Sequence, residues 1–594
     1  MKIPFLSEYI GYFKTLHQFA GRSLYVLLGL SLLVAITDGI GITMLLPLLE
    51  TSNMGGSDLG AGVFEKVFEA LGIPQTFGWT LALMGLVFTL KGLIKFSEGY
   101  LKARITADLF TKWRRQLLDL YKGLEYQYYV SKNTGHFTNV INGQTNTSAV
   151  FAQQYTAFTS RALTATVYLS LAFALNAQFT LMAIAAGGSV LLILRGVMKK
   201  TKEISQLNAQ ETGTLNKFLI QILQSFKYLQ GSGRFAFLQK EADISLDKIR
   251  HYRMEAGKFA AIMQSLQEPL AVFFMLGIMW FQVAYLGNEI APILVTLVLF
   301  YRSMNTLMMA QGQWQGVLGK SGSIEMVSKE FEEVRPQQEK SGGEVFEEFS
   351  EELAFKNLDF SYGDTPVLHQ VSFSIPKNQT VALVGESGSG KTTVTDIISL
   401  LLKPGEGGLY IDGKAAESYE LNSWRKRIGF VTQDSVIFDD SVGNNITLWE
   451  GDYATDPQVQ DAAAHAAEQA YCHHFIKDLP QGYHTQIGER GVKLSGGQKQ
   501  RLSIARELYK QPEILILDEA TSALDTESER YIQESIDALK GKMTVIIIAH
   551  RLSTIKNADK IVVLEKGRIL EEGSFQELTQ QDTRFKRMAE LQKL

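Results

Sequence analysis

Long apolar runs dominate the first half of the chain, and polar stretches separate them. The first run, residues 24–49, is apolar except for Asp38, and about 20 apolar residues let a helix cross the roughly 30 Å hydrocarbon core of a bilayer. Five more runs lie at residues 77–96, 162–175, 179–194, 269–286 and 290–310. A single run would fit a buried core helix, but six in succession predict an all-α transmembrane domain of six helices.

Lysine and arginine are distributed unevenly among the links that join these runs. The links after the second and fourth runs are basic, whereas those after the first, third and fifth contain only Lys66. Because basic links stay on the cytoplasmic side of a membrane, we predict cytoplasmic N- and C-termini. Both basic links have helical patterns, so we expect them to continue the membrane helices as two long hairpins. Their turns are predicted near residues 131–135, or a little beyond, and near residues 207–214.

The pattern changes after a polar, glycine-ending segment at residues 337–343. Apolar strands then alternate with helical runs, which is typical of an α/β domain. We therefore predict a transmembrane domain over residues 1–336, a linker over residues 337–350 and an α/β domain over residues 351–594.

Composition excludes several classes of protein. The 594 residues exceed a single core, and a net charge of −4 lacks the basic excess that a nucleic-acid partner requires. The single cysteine, Cys472, rules out an intrachain disulfide and fits a small core residue. The residues before the first run have no apolar core followed by a cleavage site, so we expect no cleaved signal peptide.

A glycine-rich motif lies between an apolar strand and a helical run. It has the form G-x-x-x-x-G-K-[ST] and consists of Gly385, Glu386, Ser387, Gly388, Ser389, Gly390, Lys391 and Thr392, with Thr393 next in the chain. Its glycines allow backbone N–H groups to close around phosphates at the helix start. Lys391 would reach the β- and γ-phosphates, and Thr392 would ligate Mg²⁺. This P-loop predicts that the domain binds a nucleotide, and any nucleotide-binding P-loop would match the motif.

Two carboxylates end a second apolar strand. Residues 514–517 are apolar and lead directly into Asp518 and Glu519. Asp518 would hold the Mg²⁺ shell, and Glu519 is placed to act as general base on the attacking water. The pair predicts hydrolysis of the bound nucleotide.

A third motif, with no role in a plain P-loop enzyme, stands between these two and consists of Leu494, Ser495, Gly496, Gly497 and Gln498. Here the sequence resembles the ATP-binding cassette (ABC) family, whose signature this motif is, and the resemblance covers the whole chain. It implies the type IV, exporter-type ABC fold of a half-transporter, with a P-loop nucleotide-binding domain after the membrane helices. It also implies that Ser495 and the rest of the signature close over ATP bound to another subunit.

Four further positions match the family in the expected order. The resemblance implies that Tyr362 stacks on adenine and that Gln433 contacts Mg²⁺ and water while facing the membrane-domain hairpins. Asp525 belongs to the loop that crosses to the partner subunit. His550 is the switch histidine near the γ-phosphate.

The family resemblance also bears on assembly and direction. No expected catalytic residue is replaced, so we expect a homodimer with two competent sites, and a heterodimer is the alternative. Membrane helices before the nucleotide domain resemble exporters, which implies ATP-driven export or flipping by alternating access.

Charged residues at membrane depth bear on the cargo. Lys91 and Arg302 lie within apolar runs, where charges are costly and usually face a cavity or a partner. Asp38 and Glu268 are possible internal partners of Arg302, and Lys91 fits an interfacial position equally well. Residues 63–71 form an amphipathic pattern expected at the outer face. These features resemble flippases of lipid-linked oligosaccharides and polysaccharide precursors, and predict an amphiphilic, anionic glycolipid as substrate.

Other functions also fit the sequence. Within transporters they are a lipid A-type flippase, a drug or multidrug exporter and a peptide exporter. Outside that class they are a soluble ATPase and a channel gated by ATP. We expect a multi-pass protein of a bacterial inner membrane, although an organellar membrane fits the same residues.

Overall fold

The chain folds into two compact units. The first comprises Met1–Gly123 and Lys132–Gln337, and the second comprises Leu124–Ser131 and Gln338–Leu594. Of the predicted linker, residues 337–350, only Gln337 falls in the first unit, and nothing in the sequence predicted that Leu124–Ser131 joins the second unit. The computed structural model describes residues 4–44, 69, 72, 74, 76–132, 134–175, 177–285, 290–340, 342–403, 405–518, 526–549, 551–580 and 583–592.

Helices account for nearly all of the described part of the first unit. In chain order, with α4 belonging to the second unit, they are α1 (Pro4–Ala20), α2 (Ser23–Thr43), α3 (Phe77–Lys122), α4 (Tyr126–Ser131), α5 (Thr134–Thr138), α6 (Thr145–Leu175), α7 (Ala177–Gln224), α8 (Phe226–Gly231), α9 (Phe235–Ala284), α10 (Ile290–Leu318) and α11 (Ser321–Val334). A π-helical segment, Asn139–Gln144, joins α5 to α6.

Nearly all the described residues of the six apolar runs fall in the helices α2, α3, α6, α7, α9 and α10. The helix α3 begins at the predicted residue, Phe77. Among the described residues, α2 and α3 are long and apolar enough to cross a membrane. Along α3 the side chains of Leu86, Leu93 and Phe96 are more than 60% exposed, as in a lipid-facing surface.

Three helices extend far beyond a bilayer. The helices α3, α7 and α9 contain 46, 48 and 50 residues, which is about 69–75 Å at 1.5 Å per residue. The first hairpin reverses between the end of α3 at Lys122 and the start of α6 at Thr145, a segment that contains the predicted residues 131–135. The second turn was predicted wrongly, because residues 207–214 lie inside α7 and the chain reverses at α8. The helix continues there since Glu211 accepts a hydrogen bond from Ser245 on α9 (2.8 Å).

The described helices of the first unit pack in two groups. The helices α2, α3, α6 and α10 pack on one another, with α1 and α11 against the same core. Leu16, Trp113, Phe151 and Trp314 are buried in it. The helices α7 and α9 instead form an antiparallel pair with little contact to the others.

The second unit is built on two β-sheets. Its strands are β1 (Glu352–Tyr362), β2 (Thr365–Pro376), β3 (Thr380–Val384), β4 (Glu406–Ile411), β5 (Lys414–Ala415), β6 (Ile428–Val431), β7 (Ile514–Asp518), β8 (Thr544–Ile548), β9 (Lys560–Glu565) and β10 (Arg568–Gly573). One sheet is antiparallel in the order β2-β1-β4-β5. The other has the order β10-β9-β3-β8-β7-β6 and is parallel except at β10.

Helices surround the six-stranded sheet. They are α12 (Lys391–Ile398), α13 (Leu421–Lys426), α14 (Val442–Thr447), α15 (Pro457–Gln469), α16 (His473–Lys477), α17 (Gly496–Tyr509), α18 (Thr526–Leu539), α19 (Leu552–Ile555), α20 (Phe575–Gln580) and α21 (Arg584–Gln592). All five residues of β7 are buried, and its alternate side chains enter two different cores. This explains the continuous apolar pattern that the sequence shows before Asp518.

Candidate functional site

The P-loop connects β3 to α12. Gly388 and Gly390 adopt φ angles of 79° and 101°, which glycine takes without strain. A Cβ atom on Gly385 would clash with the carbonyl oxygen of Leu564. Lys391 is 5% exposed, and its ammonium donates hydrogen bonds to the carbonyl oxygens of Gly385 and Glu386, each at 2.9 Å.

The hydroxyl groups of the P-loop differ in their surroundings. Ser387 and Thr392 are exposed, whereas Ser389 is 2% exposed. The Ser389 hydroxyl has no hydrogen-bond partner among the described atoms. A buried polar group without a partner is costly, and a phosphate oxygen in the loop would supply one.

The predicted catalytic positions follow neighbouring strands at one edge of the sheet. Asp518 ends β7 and is 8% exposed, and Gln433 lies exposed after β6. The strands β3, β6, β7 and β8 are parallel, so the P-loop and the residues after each strand share the carboxyl edge where α/β sheets bind ligands. Glu519 follows β7 directly and His550 follows β8 after one residue, but both lie outside the described residues.

A tyrosine and two carboxylates border the start of α12. Burial raises the pKa of Tyr362, while a hydrogen bond with Thr393 lowers it, so the predicted adenine-stacking ring lies beside the P-loop helix. Tyr362 also packs edge-on against Phe360, with ring centroids 4.9 Å apart. Burial, together with the nearby charge of Asp518, raises the pKa of Asp396 to about 6. Asp396 lies one helical turn after Thr392 and was not predicted from the sequence.

The signature motif forms the start of α17. Ser495 caps this helix by accepting a hydrogen bond from the backbone N–H of Gln498 (3.3 Å), and the Gln498 side chain accepts one from the N–H of Ser495 (2.9 Å). Ser495 and Gly496 are exposed, whereas Gly497 is buried. This reciprocal cap gives Gln498 a structural role in shaping a helix N-terminus that suits an anion. Asp525 lies outside the described residues.

Comparisons with known proteins cover both units. Residues 29–311 match the ABC transporter transmembrane region, and residues 368–522 match the ABC transporter family. The ATP-dependent lipid A-core flippase of Vibrio cholerae serotype O1 is 31% identical over 94% of this chain and 93% of its own length. The chain belongs to the ABC transporter family.

Two further proteins, one curated relative and one solved structure, are similar to this chain. The putative multidrug export ATP-binding/permease protein YgaD of Bacillus subtilis is 32% identical over 86% of this ABC transporter and 88% of its own length. A solved bacterial Atm1-family ABC exporter with ATP bound has a TM-score of 0.78 and covers 97% of this chain and 99% of that one, at 24% identity. This last similarity confirms the exporter-type fold.

Family membership settles the broad activity of the protein. This ABC transporter couples ATP hydrolysis to transport through a multi-pass transmembrane domain. The expected exporter half-transporter, with helices followed by an α/β ATP-binding domain, is therefore confirmed, and the soluble-ATPase alternative is wrong.

Polar side chains form two clusters in the membrane helices of the ABC transporter. In the first, Lys91 forms an ion pair with Asp38, and Tyr168 donates a hydrogen bond to the same carboxylate. Arg302 is exposed and close enough to Tyr168 to interact electrostatically. Asp38 therefore pairs with Lys91, and not with Arg302 as the sequence analysis considered. The side chain of Glu268, the other proposed partner, lies outside the described ones, as do nearly all of residues 63–71.

The second cluster lies about two helical turns along the same helices. Glu98, 6% exposed, accepts hydrogen bonds from Ser31 (2.6 Å), Lys102 (2.7 Å) and Ser160. These side chains join α2, α3 and α6. Because each buried polar group has a partner, the cluster fixes the relative rotation of the three helices. This cluster was not predicted from the sequence, since the spacing of single polar residues does not reveal which of them are in contact.

One hairpin tip belongs to the second unit. Glu125, just before α4, pairs with Lys403 at 2.8 Å. Tyr126 packs against the core that contains β1 and β2. Burial raises the pKa of Tyr126, with contributions from the charges of Asp396 and Tyr362. The tip of the first hairpin thus lies beside the predicted adenine site.

Proposed function

We propose that this ABC transporter flips or exports an amphiphilic, anionic lipid-type substrate by alternating access. The proposal is supported by the similarity to the Vibrio cholerae lipid A-core flippase over nearly the full length of both chains. It is also supported by Arg302, an exposed cation next to the Tyr168–Asp38–Lys91 cluster. A cation at membrane depth favours an anionic head group.

We propose a homodimer as the working form. The chain has one P-loop and one signature motif, and the exposed Ser495 and Gly496 are available to a second copy. The α7–α9 pair also presents apolar side chains at its tip, since Leu223, Tyr228 and Phe237 are at least 65% exposed. Exposed apolar side chains of this kind favour burial against a partner.

Mg²⁺ fits the oxygen donors at the carboxyl edge of the sheet. Thr392 offers a hydroxyl, Asp518 a carboxylate and Gln433 an amide oxygen, which are ligands that Mg²⁺ accepts. When bound, the ion would neutralise charge on the β- and γ-phosphates. Ser387, Gly388, Ser389 and Gly390, with Lys391, would hold the phosphates, and Tyr362 would stack on adenine.

The chain's own groups would then carry out hydrolysis. Glu519 would take the proton of the attacking water, and Gln433 and His550 would orient the water and the γ-phosphate. Ser495 to Gln498 and Asp525 of the second copy would close the site. The closure of two ATP-binding units around ATP would be carried by the long hairpins to the membrane helices, which is a two-state change biased by ligand.

Tyr126 offers a test of this coupling. Replacing it with alanine removes the aromatic contact between the hairpin tip and the ATP-binding unit, and should lower coupling by about 0.5–2 kcal/mol. We expect Tyr126→Ala to retain basal ATP hydrolysis and to lose most stimulation by lipid substrate. The measurement is the ratio of stimulated to basal phosphate release in lipid nanodiscs.

A matched control lies on the same short helix. Val130 is 59% exposed, so Val130→Ala should leave the ratio unchanged. If Tyr126→Ala keeps the full stimulation ratio, Tyr126 does not carry the coupling.

Arg302 offers a test of the cargo. A charge-assisted hydrogen bond to a phosphate contributes about 1.5–3 kcal/mol, so Arg302→Ala should raise the half-stimulating concentration of an anionic lipid roughly 10- to 100-fold. The probes are polyprenyl-diphosphate glycolipids and lipid A, measured by ATP hydrolysis in nanodiscs. Arg302→Lys, which keeps the charge, should lose less.

The Lys91–Asp38 pair supplies the control for this experiment. If the only role of Lys91 is to neutralise Asp38, the double variant Lys91→Ala with Asp38→Ala should preserve lipid stimulation better than Lys91→Ala alone. The single variant leaves the Asp38 carboxylate without its cation. Equal loss of basal and stimulated hydrolysis in Arg302→Ala would assign Arg302 a structural role instead of a role in binding cargo.

Export of drugs is a second candidate, favoured by the similarity to YgaD of Bacillus subtilis. Stimulation of ATP hydrolysis by hydrophobic cations, with no response to either anionic lipid, would favour it. We further propose a bacterial inner membrane with cytoplasmic termini, which the uneven distribution of lysine and arginine supports. Protease accessibility of the termini in inside-out vesicles would test that orientation.

A further inference from the structure

The P-loop contacts a turn and a helix that lie far from it in sequence. The backbone N–H of Gly567, in the turn between β9 and β10, donates a hydrogen bond to the Ser389 carbonyl oxygen (3.2 Å). Arg584 extends across the same turn to the Glu386 carboxylate at 2.7 Å and to Glu565 at 3.4 Å. Glu386 is the second residue of the P-loop, so Arg584 adds a cation to the phosphate-binding loop from outside the motif.

Strong local contacts fix the position of Arg584. The Glu571 carboxylate of β10 accepts hydrogen bonds from the backbone N–H groups of Arg584 (2.7 Å) and Phe585 (3.1 Å), at the start of α21. Phe585 is fully buried in the core of the second unit. The first turn of α21 is therefore held by a carboxylate and a core side chain, and Arg584 is aimed at the P-loop.

The charge arrangement has a direct consequence for ATP. Glu386 places a carboxylate in a loop that must accept a triphosphate, and like charges repel. The Arg584 guanidinium compensates that carboxylate. Arg584 and Glu386 are 39% and 67% exposed, and ion pairs this exposed contribute little to folding. The pair therefore matters more for the electrostatic potential at the phosphates than for stability.

We propose that Arg584 is a positioning residue of the ATP site, which neutralises Glu386 and so sets the affinity of the P-loop for ATP. This role depends on ATP binding by the ABC transporter and not on the identity of its cargo. It connects α21 to the first step of the transport cycle, because any displacement of α21 would uncover the Glu386 charge.

The test is the ATP dependence of hydrolysis by the full-length protein in nanodiscs, with binding of a non-hydrolysable ATP analogue as a second readout. At low salt, Arg584→Ala should raise KM and the analogue's Kd about two- to five-fold, with kcat close to that of the unaltered protein. The increase should shrink at high salt, because screening weakens interactions between exposed charges. Arg584→Lys should restore most of the affinity.

Two comparisons separate this electrostatic role from simple support of α21. In the double variant Arg584→Ala with Glu386→Gln, no uncompensated carboxylate remains within the P-loop, so the affinity should recover. Lys377→Ala removes a similarly exposed pair, Lys377 with Glu348 at 3.2 Å, at the opposite end of β3, and should leave KM unchanged. An unchanged KM in Arg584→Ala, or a double variant with the full loss, would overturn the proposal.

Discussion

Replacing Glu519 with glutamine is expected to slow ATP hydrolysis by about 10²–10⁴-fold, which is the usual contribution of a general base. Glutamine keeps the size and hydrogen-bonding capacity of glutamate but cannot accept the proton of the attacking water. The residue follows Asp518, whose buried position at the end of β7 directs the chain to the carboxyl edge of the sheet. The measurement is phosphate release by the purified transporter in lipid.

Binding should survive in the same variant. The P-loop, Thr392 and Asp518 are untouched, so Glu519→Gln should bind ATP normally and retain it in a closed pair of ATP-binding units. The matched control is Glu527→Gln, which makes the same chemical change at an exposed position on α18 and should turn over ATP normally. Turnover in Glu519→Gln close to that of this control would mean that another group is the base.

The parts of the site that could be predicted from sequence are those whose geometry is local. The P-loop needs glycines at Gly388 and Gly390 because the backbone takes positive φ angles there. The strands β3 and β7 show as continuous apolar runs because both of their faces are buried. These features lie within a few consecutive residues, so the pattern alone reveals them.

The features that escaped prediction depend on residues far apart in the chain. Arg584 and Glu386 are separated by 198 positions, and no spacing rule connects them. The pairing of Asp38 with Lys91 depends on the relative rotation of α2 and α3. The turn predicted near residues 207–214 was wrong, because Glu211 in that segment contacts Ser245 and Lys248 on α9, and these contacts favour a continuous helix over a turn.

Arg506 is a further residue whose contacts lie far away in the sequence, and its replacement is expected to have a large effect on stability. It lies on α17, which begins at the signature, and is 6% exposed. Its guanidinium donates hydrogen bonds to the carbonyl oxygen (2.7 Å) and side-chain oxygen (2.9 Å) of Asn445 and to the carbonyl oxygen of Val436 (2.6 Å). The guanidinium also lies 5.2 Å from the ring centroid of Phe438. One side chain thus attaches the signature helix to the segment that follows Gln433.

Arg506→Ala should strongly destabilise the ATP-binding unit. It removes three hydrogen bonds, two of them buried, and opens a cavity, which together should cost about 3 kcal/mol or more. For a unit of this size that corresponds to a fall of about 6–12 °C in Tm. Arg506→Lys should recover only part of it, because an ammonium lacks the planar fork that reaches both Asn445 and Val436. Thermal unfolding of the full chain, followed by fluorescence, measures the shift.

The functional consequence should exceed what lost stability explains. Well below the lowered Tm, Arg506→Ala should still bind ATP at the P-loop but hydrolyse it more slowly, since the signature helix and the Gln433 segment no longer move together. Lys499→Ala is the matched control, because Lys499 is a half-buried cation on the same helix. Its ammonium makes no hydrogen bond or ion pair with the residues that the structure describes. A Tm within about 2 °C of that control, where surface changes usually fall, would show that the Asn445 and Val436 contacts do not hold α17 in place.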